Sequence, residues 1–204
     1  MLKILGRKTS SNVQKVLWCC GELGLAFERE DVGGPFGRNN EPDYLALNPN
    51  GLVPTVIEDG FVLWESNAIV RYLCAAHGKG TLYPTDAKAN ADADRWMDWQ
   101  QTSLAPPMGI LFRGLLKSPP DAMPTSDLDS AMQRAIPMWR ILETQLSRGA
   151  FVAGDTLTMA DIALGNAVHR WFSLPRQRPD LPQLARWYAR LGERPAYRQH
   201  VAGV

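Results

Sequence analysis

The chain has 204 residues, 45% of them hydrophobic, and a formal net charge of +1 at pH 7. This length suits one large domain or two small ones, and the near-neutral charge argues against a dedicated nucleic-acid binder or an acidic disordered chain. No apolar run approaches the roughly 20 residues that span a bilayer, so no membrane association is expected, and the first residues do not resemble a signal peptide. Three cysteines, including the adjacent Cys19 and Cys20, indicate reduced thiols in the cytoplasm rather than disulfides.

Short strands alternate with helical patterns in the first 80 residues. Residues 3–6 form an apolar strand, and apolar side chains then recur at helical spacing over residues 12–22. Gly24 stands where a helix C-cap is expected. Residues 26–32 alternate as in a strand, and the composition of residues 33–40 predicts a loop.

The next stretch predicts a turn, a hairpin and a helix. Residues 48–54 are dense in Asn, Pro and Gly, and residues 55–63 form two strands around an Asp-Gly turn. Ser66 then opens a helix that ends near Gly78. The predicted order is therefore β-α-β, loop, β-β-α.

Only helical patterns follow, so we divide the chain into an α/β domain (residues 1–80), a linker (81–88) and an all-α domain (89–204). A long helix begins at Ala87, and Pro106 and Pro107 should kink or break it. The remaining predicted elements are a loop at 118–124 and helices at 127–146 (with a possible kink at Pro137), from 158, at 181–191 and at 195–201.

Three polar side chains crowd the start of the first helix, namely Ser10, Ser11 and Asn12. A helix N-terminus offers unpaired N–H groups and partial positive charge, which suit an anion such as a thiolate. A serine hydroxyl there could donate a hydrogen bond to the sulfur and lower the pKa of the thiol. Taken alone, however, this segment favours an ordinary N-cap.

The Val53-Pro54 step stands in a tight turn before a strand, which suits a cis peptide bond, although only about 5–6% of X–Pro bonds are cis. A cis bond here would turn the Val53 backbone groups outward, able to pair with an extended peptide. The alternative is an ordinary loop proline.

Glu65 and Ser66 stand at the start of the second predicted helix. The carboxylate could bind an ammonium group while the helix N-terminus binds a carboxylate, and an α-amino acid carries both. The alternative is a solvated glutamate beside a capping serine. Together, a thiolate site, a strand-pairing site and an α-amino-acid site are what a γ-glutamyl-cysteinyl-glycine tripeptide needs.

Five stretches, in order along nearly the whole chain, resemble a known family: TSSNVQKV (residues 9–16), NPNGLVP (48–54), LWESNAIVRYL (63–73), GDTLTMADIA (154–163) and RPAY (194–197). The sequence resembles the cytosolic glutathione S-transferases, in particular bacterial theta-like members of the serine type. The resemblance implies a thioredoxin-like N-terminal domain, an all-α C-terminal domain, a homodimer, and glutathione bound mainly by the first domain.

The resemblance also implies roles for single residues. Ser10 falls on the hydroxyl that activates the glutathione thiol, with Ser11 as its immediate rival, and Asn12 on an asparagine that assists the thiolate. The glutathione-binding set implied by the resemblance is Asn39, Asn50, Leu52, Val53, Pro54, Glu65, Ser66 and Asn67.

Within that set, the Val53 backbone would pair with the cysteinyl unit, and Pro54 matches the family's cis-proline. Glu65 and Ser66 match the γ-glutamyl clamp, and Asn39 lies near a position that holds the glycine carboxylate.

Some positions depart from the family's pattern. Asn67 stands where several theta-like members have an arginine, and residues 7–12 lack the cysteine of thioredoxins and omega-like transferases. Cys20 and Cys74 lie on apolar helix faces and are expected in the core, whereas the environment of Cys19 is left open.

In the helical half, Thr158 and Asp161 have the spacing of a capping box, which we interpret as structural. Met108, Phe112 and Arg113 follow the Pro-Pro pair and are candidates to line an electrophile pocket, where Arg113 could meet an anionic co-substrate or glutathione. Their alternatives are plain core positions and a solvated arginine.

The three histidines lack metal-ligand spacing, and no Gly-rich phosphate loop follows a strand, so neither metal nor nucleotide is expected. The sequence predicts a glutathione transferase that stabilises the thiolate of its co-substrate and adds it to a small hydrophobic electrophile. The alternatives are a glutathione-dependent disulfide or peroxide reductase and a non-catalytic binding protein of the same fold.

Overall fold

The computed structural model describes residues 1–119 and 122–204, so residues 120 and 121 of the predicted loop at 118–124 lie outside it. Contacts between residues divide the chain into two compact units. The first unit contains Met1–Tyr83 together with Glu193–Val204, and the second contains Pro84–Gly192. None of the helices in the described ranges is long and apolar enough to cross a membrane.

The first unit is built on a four-stranded mixed sheet. Its strands are β1 (Leu2–Leu5), β2 (Phe27–Glu30), β3 (Thr55–Glu58) and β4 (Phe61–Trp64). They are arranged in the order β2-β1-β3-β4, with β1 parallel to β2 and antiparallel to β3. This topology confirms the predicted thioredoxin-like arrangement.

The helices of the first unit are α1 (Ser11–Leu23), α2 (Pro42–Leu47), α3 (Ser66–His77) and α9 (Pro195–Tyr197), with a 3-10 turn at Gly34–Phe36 and a π turn at Arg198–Ala202. Helices α1 and α3 pack against each other, and both carry fully buried apolar side chains, such as Val16 and Leu73. Helix α1 ends at Gly24, whose φ of 65° is left-handed, as the predicted C-cap requires.

All three cysteines are free and fully buried, so the expectation for Cys20 and Cys74 is confirmed, and Cys19 lies in the core as well. The Sγ atoms of Cys19 and Cys74 are 3.6 Å apart. Their hydrogen bond raises the pKa of Cys19, and burial raises the pKa of Cys20 to about 12. These thiols are therefore poor nucleophiles.

The hairpin between β3 and β4 has the predicted Asp-Gly turn, with φ of 49° at Asp59 and 87° at Gly60. Positive φ at both central residues is the type I′ turn that suits a hairpin. Helix α2 was not predicted from the sequence. Its Tyr44 is the one residue of the helix that is buried, so apolar periodicity gave little signal.

The helical backbone continues through Pro106 and Pro107, so the predicted break does not occur, and the predicted kink stays a prediction. Helix α4 (Ala87–Trp99) leads through a π turn into α5 (Ala105–Phe112), which continues into a second π turn at Arg113–Lys117. The prolines are the second and third residues of α5 and come directly after the π turn, where Leu104 has helical angles of φ −81° and ψ −40°. The π turn before them keeps the backbone helical.

The other helices of the second unit are α6 (Thr125–Leu146), α7 (Met159–Ser173) and α8 (Pro182–Gly192). Pro137 lies inside α6. The unit has an aromatic core in which the rings of Trp139 and Trp171 lie with their centroids 5.4 Å apart.

The segment Glu193–Val204 packs with the thioredoxin-like unit rather than with the helices that precede it. The rings of Tyr197 and Trp18 meet edge to face with centroids 4.8 Å apart, and Arg194 Nε donates to Glu22 Oε1 at 2.8 Å. The sequence assigned all of residues 89–204 to the helical domain. The linker and domain boundaries drawn from the sequence stay predictions.

Candidate functional site

The strand register brings three loop segments to one edge of the sheet. Leu5 is paired with Thr55, and Thr55 with Trp64. The loop after β1, the Val53-Pro54 step before β3 and the residues after β4 therefore lie at the same edge. The sequence proposed its three candidate subsites in these same loops.

Ser10 occupies the backbone position of the α1 N-cap, with φ −82° and ψ 124°, and its carbonyl accepts the Gln14 N–H at 2.8 Å. Its hydroxyl makes no capping hydrogen bond. Ser11 is the first helical residue and is half-buried like Ser10, whereas Asn12 is exposed. The cap is thus formed by the backbone, and the Ser10 hydroxyl is not used for it.

Gly6 allows the β1–α1 loop to approach Val53. Its φ is 155°, and a Cβ at this position would lie 2.5 Å from Val13 Cγ2 and 3.3 Å from Val53 Cβ. A larger residue would push the loop away from one of these neighbours. Glycine here therefore helps to hold the start of α1 beside the Val53-Pro54 step.

The Val53-Pro54 peptide bond is cis, as the sequence suggested. The loop before it is tied down at Leu52, whose carbonyl accepts hydrogen bonds from Tyr44 Oη at 2.6 Å and Asn48 Nδ2 at 2.8 Å. The Leu52 side chain is 63% exposed. Within residues 1–119 and 122–204, no hydrogen bond is found for the backbone N–H or C=O of Val53.

A buried polar network that sequence reasoning missed supports this loop. Thr55 Oγ1 lies 2.9 Å from Tyr44 Oη and 3.1 Å from Asn48 Nδ2. Burial raises the pKa of Tyr44, so its hydroxyl stays protonated and able to donate. Asn50 donates to Asn48 Oδ1 from both its backbone and its side chain at 3.1 Å. Asn50 thus shapes the turn, and the dense turn motif was the only signal of the network.

Glu65 has an unusual backbone conformation at the N-cap of α3, with φ 71° and ψ 109°. Positive φ is costly for a residue with a side chain, by about 1–3 kcal/mol, and such strain often accompanies binding sites. The Glu65 side chain is exposed and makes no capping hydrogen bond, and Ser66 beside it is 6% exposed. The clamp predicted from the sequence is therefore held in a strained loop.

Asn67 is buried beneath this clamp. Its Oδ1 accepts a hydrogen bond from Lys15 Nζ at 2.9 Å, and the two residues are 1% and 5% exposed. The Lys15 ammonium was missed by sequence reasoning, because its partner stands 52 positions away. It introduces a buried positive charge near the start of α3.

Asn39 and Arg7 link the loop at 33–40 to the same edge of the sheet. Asn39 Nδ2 donates to Gly51 O at 2.8 Å. Arg7 lies against Gly33 and Gly34, where an added Cβ would be 3.0 Å and 2.8 Å from its guanidinium nitrogens. Among the described residues no hydrogen bond of the Arg7 guanidinium is found, and sequence reasoning gave no signal for it.

The pocket residues proposed in the helical unit occupy successive turns after the prolines. Met108 is 4% exposed, Phe112 is half-buried and Arg113 is exposed. The guanidinium of Arg170 covers the ring of Phe112, with Cζ 3.4 Å from the ring centroid. Met108 thus resembles a core residue, whereas the ring of Phe112 is in contact with the charged guanidinium of Arg170.

The start of α7 is a complete capping box, as predicted. The Asp161 carboxylate is fully buried and accepts hydrogen bonds from the Thr158 N–H at 2.9 Å, the Val152 N–H at 3.0 Å and Trp187 Nε1 at 2.9 Å. Burial raises its pKa to about 6 despite these donors. Every oxygen is used inside the unit, so this motif holds structure and is not a binding site.

No group of three or more His, Cys, Asp or Glu side chains within the described residues could hold a metal ion. The polar groups described at this edge of the sheet are hydroxyls, amides, backbone groups, one carboxylate and the cations of Arg7 and Lys15. Such a set suits a peptide with charged ends.

Comparisons with known proteins agree with this geometry. A model of the glutathione S-transferase N-terminal domain matches residues 9–76, and one of the C-terminal domain matches residues 120–190. Glutathione S-transferase GstB of Escherichia coli K12 is 36% identical over 203 residues, covering 98% of both chains, and glutathione S-transferase 3 of Zea mays is 31% identical over 218 residues, covering all of this chain and 94% of the other.

A solved structure of the theta class glutathione S-transferase from Xanthomonas axonopodis pv. citri, with glutathione bound, is 42% identical to this chain. It superposes with a TM-score of 0.94, covering 98% of this chain and 96% of that one. Both halves of the sequence, and the order of strands and helices, are thus shared with such enzymes. This chain belongs to the glutathione S-transferase family.

Proposed function

We propose that this chain stabilises the thiolate of glutathione and adds glutathione through its sulfur to a small hydrophobic electrophile. The observation that carries the proposal is that three subsites lie at one edge of the sheet. These are the Ser10 hydroxyl, the unpaired Val53 backbone and the strained Glu65 clamp. The relatives named above are transferases, which gives the reductase and binding-protein alternatives no support.

Glutathione lies across these subsites in an extended form. Its γ-glutamyl ammonium pairs with Glu65, and its α-carboxylate meets the Ser66 hydroxyl at the N-terminus of α3. Its cysteinyl unit pairs with the Val53 backbone as in a short antiparallel strand. Asn39 receives the glycine carboxylate.

The remaining predicted binding residues hold this surface in shape. Asn50 and Leu52 fix the loop before Pro54 through hydrogen bonds to Asn48 and Tyr44. Asn67 holds Lys15 beneath the clamp. These residues act on affinity through the position of the loop.

Ser10 activates the sulfur by donating a hydrogen bond to the thiolate, which lowers the pKa of the glutathione thiol. Ser11 is the alternative donor, and Asn12 assists. Lowering the pKa by two units stabilises the anion by about 2.7 kcal/mol. A hydrogen bond to a charged group contributes about 1.5–3 kcal/mol, and the helix N-terminus adds to it.

In the reaction, the thiol proton leaves to solvent and the sulfur donates an electron pair to the electrophilic carbon. A C–S bond forms, and a leaving group departs or a π bond accepts the electrons. The electrophile binds to the helical unit, with Met108, Phe112 and Arg113 in its pocket. We further propose that the protein works as a homodimer in the cytoplasm, where its three free thiols remain reduced.

The test is the ultraviolet absorbance of bound glutathione as a function of pH, which reports the thiolate directly. We expect a thiolate band well below the pKa of the free thiol in the wild type and its loss in Ser10→Ala. The matched control is Ser11→Ala, one residue along the same turn. If the wild type binds glutathione but shows no thiolate at neutral pH, the proposed function is wrong. If Ser11→Ala alone loses the band, Ser11 is the activating residue.

A further inference from the structure

Arg170, near the end of α7, has an unusual environment for an arginine. Its guanidinium lies over the ring of Phe112 in α5, with Cζ 3.4 Å from the ring centroid. Both side chains are half-buried. Burial lowers the pKa of Arg170 to about 10, which shows that its charge is poorly solvated. The charge nevertheless persists at neutral pH.

Two other cations accompany Arg170. Lys117 Nζ lies 5.6 Å from the same Phe112 centroid, and Arg113 follows Phe112 directly in the sequence. Within residues 1–119 and 122–204, no ion pair is found for any of these three cations. Arg176, six residues further along, differs because Nη1 lies 3.0 Å from Asp129 Oδ1.

This arrangement is costly for the free protein. A guanidinium that is removed from water without a carboxylate loses hydration, which the face of one aromatic ring only partly replaces. The N–H groups of a guanidinium lie in its own plane, so an aromatic ring over its face does not satisfy them as hydrogen-bond donors. These N–H groups fit the two oxygens of a carboxylate.

We propose that Arg170 binds the carboxylate of an electrophile whose apolar part lies against Phe112, so that this enzyme prefers anionic electrophiles. The inference rests on the proposed transferase function and deepens it, because it names the substrate class. In the transfer, the thiolate sulfur forms a bond to the electrophilic carbon and the leaving group departs with its electron pair. The carboxylate stays unchanged, so Arg170 determines specificity and takes no part in bond making.

Two probes of the same shape, one with a carboxylate and one with a neutral amide, test the proposal. They are 4-(bromomethyl)benzoate and 4-(bromomethyl)benzamide, each of which loses bromide when glutathione attacks the benzylic carbon. We expect the wild type to favour the carboxylate by about 10-fold in kcat/KM, after correction for the uncatalysed rates, which corresponds to ~1.4 kcal/mol. Arg170→Gln should abolish this preference, and Arg170→Lys should restore part of it.

The matched control is Arg176→Gln, which removes a guanidinium of the same unit that already has an ionic partner. We expect it to keep the wild-type preference. The proposal is overturned if the wild type favours the amide, or if Arg170→Gln keeps the preference within about twofold. If Arg170→Gln does not fold, the preference of the wild type for the carboxylate over the amide still tests the proposal. Lys117→Gln is a second variant, in which we expect this preference to decrease by about twofold to threefold.

A binding measurement separates this inference from the proposed function. Unreactive 4-methylbenzoate and 4-methylbenzamide are titrated calorimetrically into the wild type and Arg170→Gln in the absence of glutathione. If 4-methylbenzoate binds more tightly than 4-methylbenzamide and this difference depends on Arg170, the inference is supported. If neither bromide is turned over, the transferase proposal is contradicted, and the binding result still stands. Equal binding of the two ligands to the wild type contradicts the anion site alone.

Discussion

Helices α3 and α7 both begin with a hydroxyl residue and an acidic residue, but they use them differently. At α7, Thr158 and Asp161 form a capping box that also binds Val152 and Trp187. At α3, the N-cap is Glu65, at φ 71°, and its side chain makes no capping hydrogen bond. The first start is buried and self-contained, whereas the second is strained and lies at the edge of the sheet.

The difference separates structural from functional polar residues. A buried polar group whose partners all lie inside the protein stabilises the fold. A strained backbone conformation, as at Glu65, often accompanies a binding site. The following predictions assign loss of stability to the α7 start and loss of ligand binding to the α3 start.

The largest effect is expected for Asp161→Ala. It leaves the Val152 N–H and the Trp187 indole N–H buried without acceptors, and each such group costs about 1–3 kcal/mol. We expect the free energy of unfolding, measured in urea, to fall by about 3 kcal/mol or more. The thiolate pKa of bound glutathione should stay unchanged under folding conditions. A shifted thiolate pKa would mean that the α7 start also serves the chemistry.

The pH dependence of stability reports the same carboxylate. Its pKa is raised from 3.8 to about 6 in the folded protein, so the unfolded chain loses this proton first as the pH rises. The contribution of Asp161 is fully present below pH 4 and is lost as the pH rises through 6, by up to about 3 kcal/mol. Subtracting the unfolding curve of Asp161→Asn should reveal this fall. A flat difference between pH 4 and 6 would contradict it.

An intermediate effect is expected for Ser66→Ala at the α3 start. We expect glutathione to bind about 10-fold more weakly, since one hydrogen bond to its carboxylate is lost. Stability should change by less than about 0.5 kcal/mol. Thr158→Ala is the matched control, because it loses about 0.5–2 kcal/mol of stability and should keep the affinity for glutathione. Calorimetric titration and urea unfolding of both variants measure the two effects. If Ser66→Ala lost stability and Thr158→Ala lost affinity for glutathione, the distinction between the starts of α3 and α7 would be wrong.

The smallest effect is expected for Glu65→Gly, which relieves the positive φ. Glycine accepts this backbone conformation, so the free energy of unfolding should rise by about 1 kcal/mol while glutathione affinity falls. Thermal unfolding without ligand measures the first effect. Glu65→Gln is the control, because it removes the charge but keeps the strain, and it should lose affinity without gaining stability. A less stable Glu65→Gly variant would show that the loop is not strained.

The candidate site could be outlined from the sequence because its residues lie at the ends of predicted elements. Ser10, Val53 and Glu65 stand at the ends of predicted elements, where backbone groups are open, and a sequence shows such positions. The pairs Lys15 with Asn67 and Arg170 with Phe112 were not predicted, because each joins residues more than 50 positions apart. Helix α2 was missed because a helix with one buried residue has no apolar period.

The segment Glu193–Val204 makes the thioredoxin-like unit discontinuous in the chain. During synthesis, the four strands emerge from the ribosome long before Tyr197 is added. Tyr197 packs on Trp18 of the first helix. The whole helical unit is therefore synthesised before the last segment of the thioredoxin-like unit. A recombinant fragment of residues 1–83 would expose Trp18 and the Glu22 carboxylate that Arg194 binds. A soluble version of this unit needs the last twelve residues joined back to it through a new linker.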